Sequence, residues 1–401
     1  MKEPSKVKPP AVALELAPHD VCSGCGACVA SCPVDALSMA PDRDGFPYPV
    51  CHSEKCVHCG KCARVCPVGH VWESFPPIAM FAARAADIDL RKNSSSGGIF
   101  PLVSRVVLSC GGVVYGAALE EGTQRTIHVR VVDETRLARL RGSKYSQSDM
   151  GGCFRHAKDD LDNGTPVLFS GCPCQIAGLK LFLGREYDNL FTLDVICHGV
   201  ASPKVFNLYR ESVVPKSLLG HVSSFASRDK LRGWAKTGTR WNFDDGSPEI
   251  RLCPDPFVTA FSRDLFSRPS CHHCVLRSHE SGSDITLGDF WGGERLLPEW
   301  NDETGISAVM VHSEKGRALF EETRQLGLAC KPTTMDAIAA GNPALVRDFA
   351  PNRASSVFHF LAKFISFVPA VKMSLAIDYI LSLPHHLRPS ALRERLRRGY
   401  K

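Results

Sequence analysis

Two sets of four cysteines, each followed by a proline, are the residues with the clearest chemistry in this 401-residue chain. The first set has the spacing C-x2-C-x2-C-x3-C-P, and the second repeats it 34 positions later. Thiolates are soft ligands for iron, and this spacing is typical of 4Fe-4S clusters that take their fourth ligand from the other repeat. The alternative, a zinc site or a disulfide knot, is disfavoured by the doubled pattern. The pattern predicts two clusters, one on Cys22, Cys25, Cys28 and Cys66 and one on Cys56, Cys59, Cys62 and Cys32.

The segment 17–74 resembles a two-cluster ferredoxin at all eight ligand positions. Glycines beside the ligands, such as Gly26 and Gly60, let the backbone turn tightly so that amides approach the sulfurs. Between the repeats, Asp44-Gly45 predicts a hairpin turn. Cys51 lies outside the ligand pattern, and we interpret it as a packed thiol rather than a ninth ligand.

A second group of cysteines could form another metal site. Ten cysteines remain after the repeats, and four of them lie in glycine-rich loops or in a C-x2-C pair: Cys174, Cys197, Cys271 and Cys274. They predict a third 4Fe-4S cluster. A zinc site is the competing hypothesis, because a lone C-x2-C pair is a weak signal. Its ligands would be Cys271 and Cys274 with His272, His273 or His279. Cys172 is close enough in sequence to compete with Cys174.

The elements that must position these cysteines are two consecutive strand–loop–helix units. We predict a strand at 166–169 before a helix at 176–183, and a strand at 190–196 before a helix at 203–210. Repeated units of this kind favour parallel α/β packing, in which the loops after the strands hold ligands at one edge of the sheet. Cys174 and Cys197 both occupy such loops, so we expect them to converge. The other predicted elements are strands at 80–85, 111–119 and 126–132, a strand within 283–292 that ends in an aromatic loop, and a strand followed by a helix within 306–328. An antiparallel ribbon is predicted within 221–243, and helices at 99–110 and 256–266.

A serine- and glycine-rich loop precedes the predicted helix at 99–110. Serine is a good N-cap, and the first amides of a helix are ready to bind an anion. The sequence has no G-x-G-x-x-G loop, so a Rossmann-type flavin site is not indicated. The alternative is a capped helix without a ligand. The residues concerned are Ser94, Ser95, Ser96, Gly97 and Gly98.

Composition narrows the class of protein. Hydrophobic residues make up 44% and charged residues 22% of the chain, as in ordinary globular proteins. The net charge of +6 owes much to the last residues, 388–401, so it does not indicate nucleic-acid binding. Eighteen cysteines with ferredoxin spacing indicate a reducing compartment, and we expect a cytoplasmic protein with no cleaved signal and no transmembrane segment. The first 17 residues are expected to form a loose arm, and residues 346–401 a helical tail packed on the core or docked on a partner or membrane surface.

Residues 78–345 resemble the family formed by the beta subunits of coenzyme F420 hydrogenases and dehydrogenases. The resemblance divides this part into modules at 78–156 and 157–345. Together with the ferredoxin segment it covers nearly the whole chain. The matching motifs are Ser95-Ser96-Gly97-Gly98, Gly142-Ser143-Lys144-Tyr145, Pro173-Cys174-Gln175, Cys197-His198-Gly199, Cys271-x2-Cys274 and Gly288-Asp289-Phe290-Trp291-Gly292.

The resemblance implies an α+β and α/β protein: a ferredoxin domain, an α/β flavin-binding domain with a mixed sheet, and the helical tail. It implies FAD at Ser94–Gly98 together with Ser143, Lys144 and Tyr145, and it favours the third 4Fe-4S cluster. Lys144 could stabilise a reduced flavin, and the alternative is a solvated surface lysine. His198 could donate a proton, and the alternative is a structural histidine beside a ligand. Phe290 and Trp291 are either ring-stacking or packed aromatics.

The expected function is an iron–sulfur flavoprotein oxidoreductase. Electrons would pass between a small two-electron substrate, such as a deazaflavin coenzyme, and a redox partner protein or catalytic subunit. The alternative is an electron-transfer adaptor that has no substrate site of its own and serves a separate catalytic subunit.

Overall fold

The computed structural model describes residues 16–70, 72–74, 76–236, 238–277 and 281–383. Almost all of the expected N-terminal arm lies outside these ranges, and so do His279 and the basic residues at the end of the expected tail. In the ranges described, no helix combines the length and apolar character needed to cross a membrane.

The ferredoxin module contains one hairpin. Strand β1 (Leu37–Pro41) pairs antiparallel with strand β2 (Pro47–Cys51). The Asp42 carboxylate closes the turn by accepting hydrogen bonds from two turn amides, at 3.0 and 2.9 Å. Gly45 adopts a φ of 86°, which a side chain would disfavour. The turn lies where Asp44-Gly45 predicted it.

Two single-turn helices carry cysteines of the repeats. Helix α1 (Ala27–Ala30) follows Gly26, and helix α2 (Lys61–Arg64) follows Gly60. Both glycines have positive φ, 83° and 69°, so each helix begins after a backbone turn that glycine permits. The second cysteine of each C-x2-C-x2-C run therefore lies just before a helix, and the third lies within it.

Eight strands form one mixed sheet in the order β13-β3-β12-β11-β7-β6-β4-β5, and three others form a separate antiparallel sheet in the order β10-β9-β8. Strands β4, β6, β7 and β11 run parallel in the middle of the large sheet, and its outer pairs are antiparallel. The strand bounds are β3 (Ala79–Ala85), β4 (Val113–Leu119), β5 (Thr126–Val131), β6 (Val167–Gly171), β7 (Leu190–Val195), β8 (Val222–Asp229), β9 (Gly238–Phe243), β10 (Ile250–Leu252), β11 (Ile285–Asp289), β12 (Ser307–Val311) and β13 (Leu328–Pro332). The large sheet thus continues across the expected module boundary after residue 156.

Helices cover both faces of the large sheet. The helix bounds are α3 (Ile88–Lys92), α4 (Ile99–Ser109), α5 (Glu134–Leu137), α6 (Cys153–Asp162), α7 (Pro173–Leu183), α8 (Pro203–Val213), α9 (Pro256–Phe261), α10 (Gly293–Leu296), α11 (Glu314–Arg324), α12 (Met335–Gly341), α13 (Ser355–Leu361) and α14 (Phe367–Ser382). Helices α4 and α11 pack on the face that buries Val114. Helices α6 and α7 pack on the face that buries Val113 and Tyr115, because successive strand residues point to opposite faces.

The ferredoxin module is docked on the α6–α7 face. Cys25 and Ala27 belong to the same buried cluster as Phe154 of α6 and Ile176 of α7. Helices α8, α9, α13 and α14 form a separate core with the three-stranded sheet, centred on the fully buried Trp241. Thus the described part of the expected tail, up to residue 383, is packed on this second core.

Two predicted helices differ from the structure in where they begin or end. Helix α7 begins at Pro173 rather than at residue 176, so Cys174 lies in its first turn and not in a loop. Proline suits the first helical position, and the preceding Cys172 acts as the N-cap. Helix α9 stops at Phe261, five residues early, and Asp264 beyond its end has a φ of 56°. Strand β13 was not predicted.

Candidate functional site

The first predicted cluster set surrounds a small cavity in the ferredoxin module. Cys22, Cys25, Cys28 and Cys66 all contribute to its wall. Burial raises the pKa of Cys28, and the neighbouring Cys25, Cys22 and Cys66 raise it further. The fold has therefore brought Cys66 of the second repeat beside the first three cysteines. Thiols crowded in this way ionise readily only when a positive metal core binds them.

The second predicted set lies at the surface of the module. Cys62 is an electrostatic neighbour of Cys59 and Cys56, and their charges raise its pKa in addition to burial. Cys32 and Cys56 both act on Cys51, whose pKa is raised first by burial and then by a hydrogen bond with Cys56. Cys51 is thus in contact with this set, although it lies outside the ligand pattern. Cys59 is exposed, so this set faces solvent.

A larger cavity, of about 230 Å³, lies where the ferredoxin module meets the large sheet. Its wall contains the four cysteines predicted for a third cluster together with Cys172, and it also contains Val21, Ser23 and Val68 of the ferredoxin module. Strands β6 and β7 are parallel neighbours, so their carboxyl ends deliver α7 and the loop at Cys197 to one edge. The short 3₁₀ turn Pro269–Cys271 brings the C-x2-C pair there from much later in the chain.

The thiols around this cavity affect one another's ionisation. The pKa of Cys271 is raised to about 12 by burial and by Cys197 and Cys274. Burial also raises the pKa of Cys174, followed by the effects of Cys274, Cys197 and Cys25. The four predicted residues are therefore mutual neighbours, and Cys174 is also a neighbour of the ferredoxin ligand Cys25. This set of soft donors fits an iron–sulfur cluster.

Cys172 contacts this set in a different way. Its side chain caps α7 by accepting a hydrogen bond from the Gln175 amide, and the Gln175 side chain bonds back to the Cys172 amide at 2.9 Å. A hydrogen bond to Cys197 raises the pKa of Cys172 and lowers that of Cys197 to about 7. Cys172 is thus a thiol donor at the helix cap, and Cys197 is the thiol most ready to ionise.

The described histidines of the zinc hypothesis, His272 and His273, have different surroundings. His272 is 5% exposed, and its Nδ1 is buried without a hydrogen-bond partner. His273 lies on the cavity wall, with its Nδ1 3.1 Å from Asp348. Over the residues the structure describes, no group of three or more histidine, cysteine, aspartate or glutamate side chains is arranged to hold a metal ion. The third candidate, His279, lies outside those residues.

The serine–glycine loop precedes α4, as predicted. Ser94 and Ser96 donate hydrogen bonds to the carbonyls of Leu90 and Ile306, both at 2.8 Å. Gly97 is packed so closely that a Cβ would lie 2.5 Å from a backbone oxygen of β3. Helix α4 begins after Gly98, which has a φ of 79°, and no side chain caps it. The first amides of α4 are therefore not occupied by a cap.

The other predicted flavin residues approach the same loop. Ser143 donates a hydrogen bond to the Ser95 hydroxyl at 2.8 Å. The Lys144 ammonium donates to the carbonyls of Arg139 and Arg141 at 3.1 and 2.8 Å. Burial and the neighbouring Arg141 lower the pKa of Lys144 to about 7. Lys144 is accordingly able to exchange a proton near neutral pH, while its position is fixed by backbone carbonyls.

Tyr145 and His198 lie on either side of one phenylalanine. The Phe261 ring is 4.7 Å from the Tyr145 ring and 5.7 Å from the His198 ring, measured between centroids. The His198 Nε2 is 2.9 Å from the Asp264 carboxylate, which raises the pKa of His198. His198 is therefore more often protonated at neutral pH than a free histidine.

Several residues near the loop were not predicted. Lys230, just beyond β8, donates hydrogen bonds to the carbonyls of Arg91 and Ser96 at 2.7 and 2.8 Å, and its pKa is lowered to about 7 by burial. Arg228 is paired with Asp289 at 3.3 Å and lies over the Trp291 ring. The sequence showed only that polar and apolar residues alternate in the predicted ribbon at 221–243. Such alternation does not show which of these residues contact the large sheet.

The Gly288–Gly292 loop is braced by these contacts. Trp234 stacks on Trp291 with 4.6 Å between ring centroids, and its indole donates to Asp289 at 3.0 Å. Phe290 is 1% exposed and belongs to the core on that side of the sheet. Of the two aromatics considered for ring stacking, Phe290 is a packed residue and Trp291 is already stacked.

The two ligand regions meet at the surface of α7. A Cβ at Gly178 would lie 3.0 Å from the sulfur of Cys25, so glycine is required for this close approach. Arg155 of α6 donates to the carbonyls of Ala30 and Cys32 at 2.8 and 3.1 Å. The first ferredoxin set is thereby held one helix away from the large cavity, whose wall includes Cys174 of the same helix.

Comparison with known proteins agrees with this division of the chain. Residues 21–70 match the 4Fe-4S dicluster domain. Residues 164–333 match the family described as the C terminus of the beta subunit of coenzyme F420 hydrogenase/dehydrogenase.

Relatives of similar length are known. The F subunit of the F(420)H(2) dehydrogenase of Methanosarcina mazei is 24% identical over 334 residues, which cover 79% of this chain and 86% of that protein. Among solved structures, a chain from the F420-reducing NiFe hydrogenase complex of Methanosarcina barkeri aligns with a TM-score of 0.45 and 15% identity, covering 77% of this chain and 94% of that one. Both expected resemblances are confirmed: the chain has an N-terminal 4Fe-4S dicluster domain, followed by a domain that matches the C terminus of the beta subunit of coenzyme F420 hydrogenase/dehydrogenase.

Proposed function

We propose that this chain passes electrons between a small two-electron substrate, bound beside FAD in the α/β domain, and a protein partner at the ferredoxin module. The observation that carries the proposal is the close approach of Cys25, in the ferredoxin module, to Gly178 of helix α7. It holds the first ferredoxin ligand set against the helix whose first turn presents Cys174 to the large cavity. Electron carriers held this close can exchange electrons within one molecule.

The cysteines of the dicluster domain would hold two 4Fe-4S clusters, and Cys174, Cys197, Cys271 and Cys274 a third. Bound clusters supply one-electron steps, and a bound flavin converts these into two-electron chemistry. The protein's part is to crowd the thiols, fix their positions through α7 and the turn at Cys271, and exclude water from the junction. Cys172 keeps its place as the helix cap and donates a hydrogen bond to Cys197, which stabilises the thiolate there.

FAD would lie at the start of α4. The uncapped amides after Gly98 suit a pyrophosphate, and the loop from Ser94 to Gly98 shapes the approach. Ser143 fixes Ser95 beside it. Lys144 and Lys230 both have a pKa lowered to about 7, so each can lose or gain a proton at its Nζ atom as charge develops nearby. These contacts support a flavin site at this end of α4.

The substrate class we favour is the reduced deazaflavin coenzyme. The support is the relative from Methanosarcina mazei, whose name describes a dehydrogenase of F(420)H(2). His198, whose pKa is raised by Asp264, would supply a proton at Nε2 when the substrate or flavin requires one. The His198 ring contacts Phe261, and Phe261 in turn contacts Tyr145, which is one of the predicted flavin residues.

The partner would dock at the exposed face of the second ferredoxin set. Cys59 and Val57 are exposed there, and Val57 is 60% exposed. The segment from Glu54 to Arg64 carries three exposed cations, Lys55, Lys61 and Arg64, against the single exposed carboxylate of Glu54. This charge suits an acidic electron-transfer surface on a redox protein or a catalytic subunit.

The test is anaerobic oxidation of F420H2 by the purified full-length protein with a viologen dye as acceptor. We expect turnover, bound FAD, and loss of turnover in Lys144→Ala with the clusters retained. Lys180→Ala, which removes a lysine of α7 that donates to the Gly282 carbonyl at 2.9 Å, is the matched control and should keep the activity.

The alternative is an adaptor that has no substrate site and serves a separate catalytic subunit. It predicts iron–sulfur clusters without flavin, and no reoxidation of the reduced protein by a small molecule faster than by air. Either result from the purified chain would replace our proposal with the adaptor.

A further inference from the structure

A single arginine joins the ferredoxin module to the region of the large cavity. The Arg268 Nε donates a hydrogen bond to the Cys22 carbonyl at 2.8 Å. Its Nη1 donates to the Pro47 carbonyl at 3.1 Å and to the Gln147 side-chain oxygen at 2.9 Å. The backbone amide of Arg268 donates to the Val200 carbonyl at 3.0 Å, just after the Cys197 loop. The side chain therefore bonds to the first ligand loop, and its backbone belongs to the second ligand region.

Arg268 carries a buried positive charge. The residue is fully buried, and no carboxylate within the described ranges forms an ion pair with it. Its Nη2 is buried without a hydrogen-bond partner. A guanidinium stays charged in proteins, and burying a charge without a counter-charge is strongly unfavourable. The Tyr48 ring, 4.0 Å from the guanidinium carbon, offsets only part of this cost.

The missing counter-charge is explained by the cysteines around it. Arg268 lies three residues before Cys271 and lowers the pKa of that thiol, against the larger effect of burial. Cys22 and Cys271 both act on Tyr48, the ring that Arg268 covers. The guanidinium is thus close to ligands of two neighbouring sets. A cluster with four thiolates is an anion, and each electron that it accepts makes it more negative.

We propose that Arg268 tunes the reduction potential of the cluster held by Cys22, Cys25, Cys28 and Cys66, by supplying the positive charge that favours its reduced form. Reduction adds one electron to that cluster and takes one from the donor. Arg268 acts through the field that it creates and through the position of the ligand loop, so it is a positioning and tuning residue. The inference rests on the first ferredoxin cluster of the proposed function and on no other part of it.

Variants of Gln147 can separate the effect of the Arg268 charge from the effect of the position of the first ligand loop. Its Nε2 donates to the carbonyls of Ser23 and Gly24 at 3.1 and 3.2 Å, next to the carbonyl that Arg268 holds. Gln147 therefore ties the same loop to the α/β domain without carrying a charge. A carboxylate in its place would lie beside the guanidinium and neutralise it, whereas leucine would remove the hydrogen bonds and leave the charge.

The experiment is a redox titration of the full chain with dithionite, followed by low-temperature electron paramagnetic resonance. The signal of the first cluster is the one that Cys25→Ser removes. The variants are Arg268→Gln and Gln147→Glu, with Arg268→Lys and Gln147→Leu as controls. Iron content and limited proteolysis report whether clusters and module docking are retained.

We expect Arg268→Gln and Gln147→Glu to lower the midpoint potential of this signal. The change should be at least tenfold in the ratio of reduced to oxidised cluster at a fixed potential, which corresponds to about 59 mV for one electron. Arg268→Lys and Gln147→Leu should stay close to the wild type. Should Arg268→Gln lose its iron, the two Gln147 variants decide the matter on their own.

An unchanged midpoint in an iron-loaded Arg268→Gln protein would overturn the inference. So would an equal shift in Gln147→Leu and Gln147→Glu, because the hydrogen bonds rather than the charge would then set the potential. Absence of the signal from the wild type would instead overturn the first cluster itself, which distinguishes failure of the proposed function from failure of the role of Arg268.

Discussion

The thiol of Cys172 forms hydrogen bonds with two neighbours, Gln175 and Cys197. It accepts the Gln175 amide at the start of α7, and its thiol donates to Cys197. The sequence analysis chose Cys174 as the ligand but left Cys172 as a competitor, because residue type and spacing do not show which sulfur has a helix amide to cap. The structure shows the cap, and we therefore retain Cys174 as the proposed ligand.

Serine at position 172 should preserve this site. Serine is a strong N-cap, so Cys172→Ser should keep the helix and the iron, whereas Cys172→Ala should cost about 1 kcal/mol of stability. Cys174→Ser should lose about four iron atoms per chain, the content of one cluster. Iron analysis and urea unfolding of the three variants measure both effects. Loss of iron from Cys172→Ser with retention in Cys174→Ser would reverse the assignment.

A buried carboxyl at the end of β7 makes a second prediction possible. Asp194 is fully buried, and burial raises its pKa to about 7, although Ser281 and Thr286 donate hydrogen bonds to it. The folded protein therefore holds this proton more tightly than the unfolded chain. The stabilisation is complete below the ordinary aspartate pKa and is lost as the pH rises through 7.

Asp194→Asn should remove this pH dependence. Between pH 5 and pH 8.5 the wild type should lose up to about 3 kcal/mol of unfolding free energy more than the variant does. Urea titrations of both metal-free proteins at the two pH values give the difference. Parallel stability curves for the two proteins would show that Asp194 does not titrate as described.

At the scale of elements, individual strands and helices were easier to predict than helix starts and long-range strand pairings. The two strand–loop–helix units were found at nearly the right residues, and so was the helix after the serine–glycine loop, because apolar runs and turn residues mark them. The start of α7 was missed because the predicted helix was taken from its first aliphatic residue, Ile176, although Pro173 suits the first helical position. Strand β13 pairs with β3 from more than 240 residues away, and no local pattern shows such a pairing.

In the proposed function, helix α7 is the element on which electron transfer between the two regions depends. Gly178→Leu should favour the helix, since leucine is a better helix former by about 0.8 kcal/mol. It should also displace Cys25, because even a Cβ would lie 3.0 Å from its sulfur. We expect slower reduction of the ferredoxin clusters, by about tenfold or more, with the same dye reduction at the flavin.

Gly220→Leu is the control for this change, because no atom lies within 4 Å of a Cβ at Gly220. It should leave both rates unchanged. Stopped-flow absorbance after mixing with F420H2 separates the two steps. Equal ferredoxin reduction in Gly178→Leu and wild type would show that the contact on α7 is not part of the path.

At the scale of the whole molecule, the ferredoxin module is held by residues far apart in sequence. Arg155 holds the segment after α1, Lys204 and Ser202 bond to the hairpin turn at 2.8 and 2.7 Å, and Gln147 and Arg268 hold the first ligand loop. The ligand cysteines were predictable because chemistry fixes their spacing. The docking was not, because each tether is a lone polar residue whose partner is a backbone carbonyl more than 100 positions away.

This docking leaves the second ligand set exposed to a partner. Lys61→Glu should slow electron transfer to an acidic acceptor protein by about tenfold at low ionic strength, and the difference should shrink as salt is added. Lys372→Glu on the exposed face of α14 has the same charge change and should have no effect. Equal rates for the two variants would place the partner elsewhere.

The most direct test of the account is the metal content of the protein purified without oxygen. Two clusters in the ferredoxin module and one in the large cavity predict about twelve iron atoms per chain, and about eight in Cys197→Ser. A wild-type protein with about eight iron atoms and one zinc would contradict the third cluster. It would leave the large cavity as a zinc site and break the proposed path between flavin and ferredoxin.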